Sequence, residues 1–283
     1  MTTMPLRIAH IVNEPFGLET ASGIAQVVYC LALAEAEIGQ SVAVFSRDDR
    51  AVNVFGNREG SVSGSARAVT RETGRSLRQR WLSRQIEWPR AEDLLAWQPD
   101  VVHFHSIHIL QNVALAARLV HTGIPYCVTV HGALFPDALR RNRLKKTIFN
   151  VVFEQRYLNE ARFIHALSSH EIEAIRRYGV IRPIVDVPNG LPPELHVRPA
   201  RPGALYARNP ELRDRTVFMF VGRLDSWQKG LDLLVDAFAN AELRDAALVL
   251  VGPGWRGSRR DLARRAERRG ILSRLVFVDP CVW

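Results

Sequence analysis

Short apolar runs recur along the chain and constrain its fold more than any other feature. Each run has the length of a strand, is bounded by turn residues and is apolar almost without interruption. Strands with both faces buried have this character, whereas half-solvated strands alternate apolar and polar residues. The predicted strands are Leu6–Val12, Ser41–Ser46, Val101–His105, Tyr126–Val130, Phe163–Ala166, Ile184–Val187, Val217–Val221, Ala247–Val251 and Leu275–Val278.

Segments with helical periodicity lie between many of these runs. Ile24–Ile38 and Leu231–Ala241 carry apolar residues on one helical face, and Asp261–Arg269 is a strongly basic helix. Alternation of buried strands with helices is typical of parallel sheets covered by helices on both faces. We therefore predict an α/β protein.

A proline-rich segment divides the chain. The 283 residues suffice for one large domain or two ordinary ones, and 191–215 holds five prolines without clear periodicity, as a linker does. We predict a first domain over 1–190 and a second over 216–283. The second has only three predicted strands, fewer than a doubly wound sheet normally has, so we expect it to be incomplete.

Composition limits the classes of binding partner that the protein can be expected to have. The net charge of +9 favours anionic partners, but the excess of arginine is spread over several helices, so a solvated surface explains most of it. No zinc-finger, helix-turn-helix or RNA-binding signature is present, and we expect no nucleic-acid partner.

The sequence also predicts a cytoplasmic location. The apolar run Ile8–Val12 is too short for the core of a signal peptide, and no run is long enough to span a membrane. Three widely spaced cysteines form no disulfide or metal pattern and suit a reducing compartment. The basic segment Asp137–Tyr157 reads by default as a solvated helix, with peripheral contact to anionic lipid at the inner membrane face as the alternative.

Two candidate site segments follow strands of the first domain. In Phe16–Ile24, the small residues Ser22 and Gly23 precede a helix N-terminus that suits a phosphate or carboxylate, although any tight turn also needs small residues. His131 and Gly132 follow the strand Tyr126–Val130, where an open α/β sheet faces its ligand. A locally satisfied histidine is an equally good interpretation of His131.

A third candidate segment, Gly222–Gly230, follows the first strand of the second domain. Arg223 can bind two oxygens with its planar guanidinium and Lys229 adds a point charge, which suits a diphosphate. The alternative is local pairing with Asp225 or Asp232. Function is the favoured interpretation, because the loop lies at the carboxyl end of a strand.

Smaller features have a structural interpretation beside the functional one. Ser168 and Glu171 form a capping-box pattern, and Pro188-Asn189-Gly190 reads as a tight turn. Gly252-Pro253-Gly254 follows a strand and either borders a ligand or turns the chain.

Taken together, these segments resemble the family 4 glycosyltransferases across nearly the whole chain. The similarity is carried by ASGIAQVV, PDVVHFHS, VTVHG, IHALSSHEIEAIRRYG and VPNG, and above all by FVGRLDSWQKGLDLLVDAF followed by ALVLVGPG. The block GRLDSWQKGLDLL is the most specific of these.

The resemblance implies a GT-B fold, in which two Rossmann-like domains face each other across a cleft. It implies a retaining, metal-independent transfer of a sugar from a UDP- or GDP-sugar to a glycan or lipid-linked acceptor in polysaccharide or glycoconjugate biosynthesis. Arg223 and Lys229 match the pair that holds the donor diphosphate, and His131 matches the active-site histidine. The donor-binding candidates are Ser22, Gly23, Asn189, Gly190, Gly222, Gly252 and Val278.

The sequence departs from the family pattern in three places. Ser22-Gly23 stands where the family usually has Gly-Gly, and VPNG is followed by Leu-Pro-Pro rather than an apolar and an acidic residue. No glutamate is followed eight positions later by another, so the family's glutamate pair is missing. An inactive truncated remnant that binds nucleotide weakly is therefore the main alternative. Another GT-B enzyme, such as a sugar-nucleotide epimerase, and a basic nucleic-acid binder rank lower.

Overall fold

The computed structural model describes residues 4–14, 23–46, 52–55, 67–69, 91–140, 143–190, 203–241 and 243–279. The chain forms two compact units, Met1–Leu195 (unit 1) and His196–Trp283 (unit 2). The boundary between them lies within the proline-rich segment 191–215.

Unit 1 is built on an eight-stranded sheet with the order β4-β3-β2-β1-β5-β6-β7-β8. Six strands are parallel, as predicted, and β3 and β4 continue the sheet antiparallel beyond β2. The sequence analysis predicted neither of these two strands. The strands are β1 Arg7–Val12, β2 Ser41–Ser46, β3 Val52–Phe55, β4 Arg67–Val69, β5 Val101–His105, β6 Tyr126–Thr129, β7 Phe163–Ala166 and β8 Ile184–Asp186.

Helices connect the parallel strands of unit 1. Their bounds are Gly23–Glu37, Ala91–Ala96, Leu110–Thr122, Pro136–Arg140, Arg143–Phe149, Gln155–Glu160 and Ser169–Arg177, with a π-helical turn over Asn150–Glu154. Every described residue of the predicted helix Asp137–Tyr157 is helical, and the π-helical turn interrupts its regular α-helical pattern. The π-helical turn includes Glu154, whose buried carboxylate accepts hydrogen bonds from the backbone N–H and ring Nδ1 of His108.

The core of unit 1 lies between the sheet and these helices. Phe104, Tyr126 and Tyr157 are buried side by side, with the two tyrosine rings stacked at a centroid distance of 5.9 Å. The Tyr126 hydroxyl donates to the backbone oxygen of Tyr157 at 2.6 Å, which satisfies a polar group that would otherwise be costly to bury.

Unit 2 contains a parallel three-stranded sheet with the order β11-β10-β9. Its strands are β9 Thr216–Val221, β10 Ala246–Val251 and β11 Leu275–Val278, and its longer helices are Leu231–Asn240 and Ser258–Arg268. Shorter helices span Ala204–Arg208 and Ser226–Lys229, and single 3-10 turns span Pro210–Leu212 and Leu272–Arg274.

Part of the predicted linker is folded in unit 2. Leu212 is 1% exposed and packs against Ala247 and Val249, the face of β10 opposite the main core of the unit. The sequence of this segment shows no helical periodicity because its helices are only about one turn long.

Strand β9 is an open edge among the described residues of unit 2. It pairs with β10 alone, and Phe218, Met219 and Val221 are 44%, 49% and 65% exposed. An apolar edge strand of this kind presents unpaired backbone groups beside unburied side chains.

Candidate active site

Five histidines gather at and just beyond the carboxyl ends of neighbouring strands in unit 1. The register pairs His10 of β1 with His103 of β5, and Thr129 of β6 with His165 of β7. His105 ends β5, and His131 lies two residues beyond β6. Because the carboxyl ends of parallel strands meet at one edge of the sheet, residues far apart in sequence come together there.

One hydrogen-bonded chain runs through three of these rings. Glu35 Oε2, on the helix Gly23–Glu37, lies 2.7 Å from His10 Nε2. His10 Nδ1 lies 3.0 Å from His105 Nε2, and His105 Nδ1 lies 3.0 Å from His131 Nε2. His131 is thus tied to a carboxylate at the other end of the chain.

A second chain runs beside the first. His103 Nε2 lies 2.7 Å from Thr129 Oγ1, which lies 2.8 Å from His165 Nδ1. His165 Nε2 lies 2.7 Å from the backbone oxygen of Val187. The rings of His103 and His105 are 4.1 Å apart, which brings the two chains into contact.

Burial keeps three of these rings, those of His103, His105 and His131, neutral. Desolvation, with a smaller contribution from neighbouring histidines, holds the pKa values of His103 and His105 well below the usual range. Desolvation and then His165 lower the pKa of His131 to about 4. At neutral pH His131 is an uncharged imidazole that can accept one hydrogen bond and donate another.

The turn after β6 holds His131 in an unusual backbone conformation. His131 and Gly132 have φ angles of 49° and 72°, and the Gly132 N–H donates to Glu171 Oε1 at 2.5 Å. The other oxygen of Glu171 accepts from the Leu167 N–H at 2.6 Å. Left-handed backbone at a non-glycine residue costs free energy and persists only where the surroundings enforce it.

Glu171 therefore has a role that its capping-box pattern did not predict. Ser168 does cap the helix Ser169–Arg177, because its Oγ accepts from the Glu171 N–H at 3.3 Å. The Glu171 carboxylate does not return to Ser168, as a capping box requires, but holds the His131–Gly132 turn.

The other unit 1 candidates contribute less to this geometry. Ser22 lies outside the described residues, while Gly23 begins its helix with open space around it. Asn189 and Gly190 are exposed beyond β8, and Gly190 lacks the positive φ that a glycine-dependent turn requires. The tight turn predicted at Pro188-Asn189-Gly190 is not formed within the described residues.

In unit 2, the side chain of Arg223 is held by two contacts at the carboxyl end of β9. Its guanidinium lies over the ring of Trp255, 4.5 Å from the centroid, and its NH2 group donates to Gln228 Oε1 at 2.5 Å. The nearest oxygen of Asp225 is 3.9 Å away, so the predicted local ion pair is weak. Its Nε is buried without a partner among the described residues. Neither Trp255 nor Gln228 was predicted from sequence.

Lys229 lies in the same loop and is exposed. It ends the short helix Ser226–Lys229, whose first turn is capped by Asp225 Oδ1 accepting from the Gln228 N–H at 3.1 Å. Within the described part of unit 2 no ion pair neutralises Lys229, so the alternative pairing with Asp232 is not formed.

Two glycines bring the loops after β9 and β10 into close contact. A Cβ on Gly252 would stand 2.0 Å from the backbone oxygen of Gly222, and both residues have a positive φ, of 142° and 150°. The Gly252 N–H donates to the backbone oxygen of Val278 at 3.0 Å, which adds the end of β11 to the same edge. Glycine is required at Gly252 because no side chain fits there.

Among the described residues, one cluster has the composition of a metal site. Nitrogens of His10, His103 and His105 all lie within 4.8 Å of one another, and the three rings are buried.

No helix in the described part of the chain is long and apolar enough to cross a membrane.

Solved structures similar to this chain include glycosyltransferases of the GT-B type. HepE of Anabaena, in a complex with UDP and glucose, is 16% identical over 98% of this chain and 70% of its own, with a TM-score of 0.65. Sucrose-phosphate synthase of Thermosynechococcus elongatus is 19% identical over 97% of this chain and 71% of its own, with a TM-score of 0.70. WaaG, a glycosyltransferase involved in lipopolysaccharide biosynthesis, is 16% identical over 97% and 70%, with a TM-score of 0.54.

The family itself is shown by sequence. The family described as the glycosyl transferase 4-like domain matches residues 22–190, which is more than half of the chain. The protein belongs to this family, and the predicted fold class and glycosyltransferase assignment are confirmed. Comparison with curated proteins gives no match.

Proposed function

We propose that the protein transfers a sugar from a UDP- or GDP-sugar to a glycan or lipid-linked acceptor, with retention of anomeric configuration and without a metal, during polysaccharide or glycoconjugate assembly. HepE, which has the same fold, has been solved with UDP and with UDP-glucose. That similarity supports a nucleotide-sugar donor.

The observation that carries the proposal is the pair of cations at the carboxyl end of β9. Lys229 is exposed and has no ion pair with any residue that the structure describes, and Arg223 is held by Gln228 and Trp255 rather than by a close carboxylate. Departure of a nucleoside diphosphate develops negative charge, and preorganised cations stabilise that charge without rearrangement. Their two positive charges supply what a metal ion supplies in other transferases.

The carboxylate in the same loop argues against a double displacement as the route to retention. A double displacement needs a carboxylate nucleophile within reach of the sugar. Asp225 is mostly buried and its Oδ1 caps the helix Ser226–Lys229, so it is engaged in structure. We therefore favour a front-face reaction, in which the leaving phosphate accepts the proton of the acceptor hydroxyl.

We further propose that unit 1 contacts an anionic membrane through the segment 143–153. Leu144, Ile148 and Val151 are 75%, 57% and 73% exposed, and their spacing places them on one helical face. The exposed basic residues Arg143 and Lys145 flank them. An apolar face bordered by cations is typical of helices that lie in a membrane interface.

Donor turnover tests the proposed reaction. Purified protein is assayed for hydrolysis of, and transfer from, a panel of UDP- and GDP-sugars, with NMR detection of the anomeric configuration of the product. Arg223→Ala and Lys229→Ala should each lower kcat/KM by about 100-fold, comparable with the loss of one oxyanion donor. Arg260→Ala removes an exposed arginine elsewhere in unit 2 and should leave turnover unchanged. Wild-type levels of turnover in both site variants would contradict the proposal.

Vesicle binding tests the membrane contact separately. Co-sedimentation with phosphatidylserine-containing vesicles should decrease in Leu144→Ser and Ile148→Ser. Leu233→Ser, which replaces a leucine that is 68% exposed in unit 2, is the matched control. Equal binding by all three variants would show that the segment 143–153 does not contact the membrane.

A further inference from the structure

The carboxylate of Glu35 sets the direction of hydrogen-bond donation along the chain from Glu35 to His131. A carboxylate accepts hydrogen bonds and donates none, so the proton in the Glu35–His10 contact belongs to His10 Nε2. With one N–H on the His10 ring, Nδ1 accepts, whereas a doubly protonated His10 would donate from Nδ1 and reverse the chain.

The same logic passes along the next two contacts. His105 Nε2 donates to His10 Nδ1 at 3.0 Å, which leaves His105 Nδ1 as an acceptor. His131 Nε2 then donates to His105 Nδ1 at 3.0 Å, and the lone pair of His131 lies on Nδ1. The described residues offer Nδ1 of His131 no hydrogen-bond partner.

In the second chain, the backbone carbonyl of Val187 sets the direction of hydrogen-bond donation independently of Glu35. The Val187 carbonyl only accepts, so His165 donates from Nε2 and accepts from the Thr129 hydroxyl at Nδ1. Thr129 Oγ1 in turn accepts from His103 Nε2. Every assignment requires one N–H per ring, and the lowered pKa values of His103, His105 and His131 agree with this at those three positions.

We propose that Glu35, His10 and His105 are positioning residues that hold His131 as the neutral Nε2–H tautomer, with Nδ1 presented to the ligand as a hydrogen-bond acceptor. An acceptor nitrogen binds a group that donates, such as a sugar hydroxyl, and disfavours a phosphate oxygen. Unit 1 would therefore recognise the sugar at this edge, an inference that rests on the proposed transferase function.

A metal ion at the histidine cluster is the competing interpretation. Binding at His10, His103 and His105 would need one nitrogen from each ring. Both nitrogens of His10 and both of His105 already lie within hydrogen-bond distance of a partner. A metal would replace the contact between His10 and His105 and disconnect His131 from Glu35, so the observed contacts favour the hydrogen-bonded chain.

Nitrogen-15 NMR of histidine-labelled protein reads the tautomers directly and does not depend on catalysis. In the wild type, Nδ1 of His131 and of His105 should have the pyridine-type shift of an unprotonated nitrogen, and both Nε2 atoms the pyrrole-type shift. Addition of inorganic phosphate should leave Nδ1 of His131 unprotonated. Mixed tautomers, protonation of Nδ1 by phosphate, or stoichiometric Zn²⁺ binding that His103→Gln abolishes would overturn the proposal.

Glu35→Gln tests whether the carboxylate sets the direction. An amide both donates and accepts, so His131 should show averaged nitrogen shifts, and kcat/KM should fall by about 10-fold. Glu37→Gln, on the same helix and exposed, should change neither quantity. Unchanged shifts in Glu35→Gln would refute the role of Glu35.

The two readouts separate this inference from the proposed function. Wild-type protein with the expected tautomers but no turnover of any donor would leave the positioning chain intact and refute the transferase proposal. Turnover in a protein whose His131 lacks the expected tautomer would support the transferase proposal and refute the positioning chain.

Discussion

Replacement of Gly252 by alanine tests the close contact between the two glycine loops of unit 2. The new Cβ would lie 2.0 Å from the Gly222 oxygen, whereas real Cβ atoms essentially never approach another atom within 3.0 Å. The obstacle is backbone at the end of β9, so no flexible side chain can move aside. The φ of 142° adds strain for any L-residue.

The two costs can be added approximately. Overpacking that displaces backbone costs about 1–3 kcal/mol, and a φ in this region costs about 1–3 kcal/mol for a residue with a Cβ. We expect Gly252→Ala to lower the free energy of unfolding by about 4 kcal/mol. That is a large fraction of the roughly 5–15 kcal/mol that stabilises a typical protein.

Urea denaturation of the full chain, with two further variants, separates these contributions. Gly254→Ala meets only Arg259 Cβ at 3.7 Å and should lie within about 0.5 kcal/mol of the wild type. Gly257→Ala has a φ of 83° and open space, and should cost about 1 kcal/mol through backbone strain alone. If Gly252→Ala is no less stable than Gly257→Ala, the loops do not touch as described.

Three further predictions concern unit 1. The lowered pKa of His131, about 4, means that the unfolded chain binds a proton between pH 6.5 and 4 that the folded state rejects. Stability should therefore be full above pH 6.5 and fall by up to about 3 kcal/mol towards pH 4, measured by urea denaturation, and a flat profile would contradict the burial of His131. Glu171→Gln should cost about 1–3 kcal/mol, because Gly132 and Leu167 donate to its carboxylate, whereas the exposed Glu173→Gln should be neutral in the same assay. Burial raises the pKa of Cys127 to about 12, so iodoacetamide at pH 8 should not modify it until the protein unfolds, and labelling of the native protein detected by mass spectrometry would show that this thiol is accessible.

Sequence patterns were sufficient where structure depends on local composition. Continuous apolar runs predicted the six parallel strands of unit 1 and the three of unit 2 to within about one residue, because strands buried on both faces need few polar residues. Strands β3 and β4 are short antiparallel additions without such runs, and no periodic signal predicted them.

The candidate site could be predicted only in part. His131 and Arg223 follow strands closely and Lys229 lies in the same connection as Arg223, so their position in an α/β sheet could be inferred from sequence. Glu35 and Trp255 could not, because their partners lie in distant segments and only tertiary packing brings them together. One signal was available, since His103 and His105 alternate along β5 and must face the same side of the sheet.

The open edge of β9 should have a visible effect on amide hydrogen exchange. Thr216 and Gly222 direct their N–H groups to β10, donating to the backbone oxygens of Asp245 and Val251. With the two-residue period of a strand, the amides of Val217, Met219 and Val221 point away from β10. Deuterium should therefore enter β9 at every second residue, faster than at its neighbours, although the strand is among the most apolar segments of unit 2.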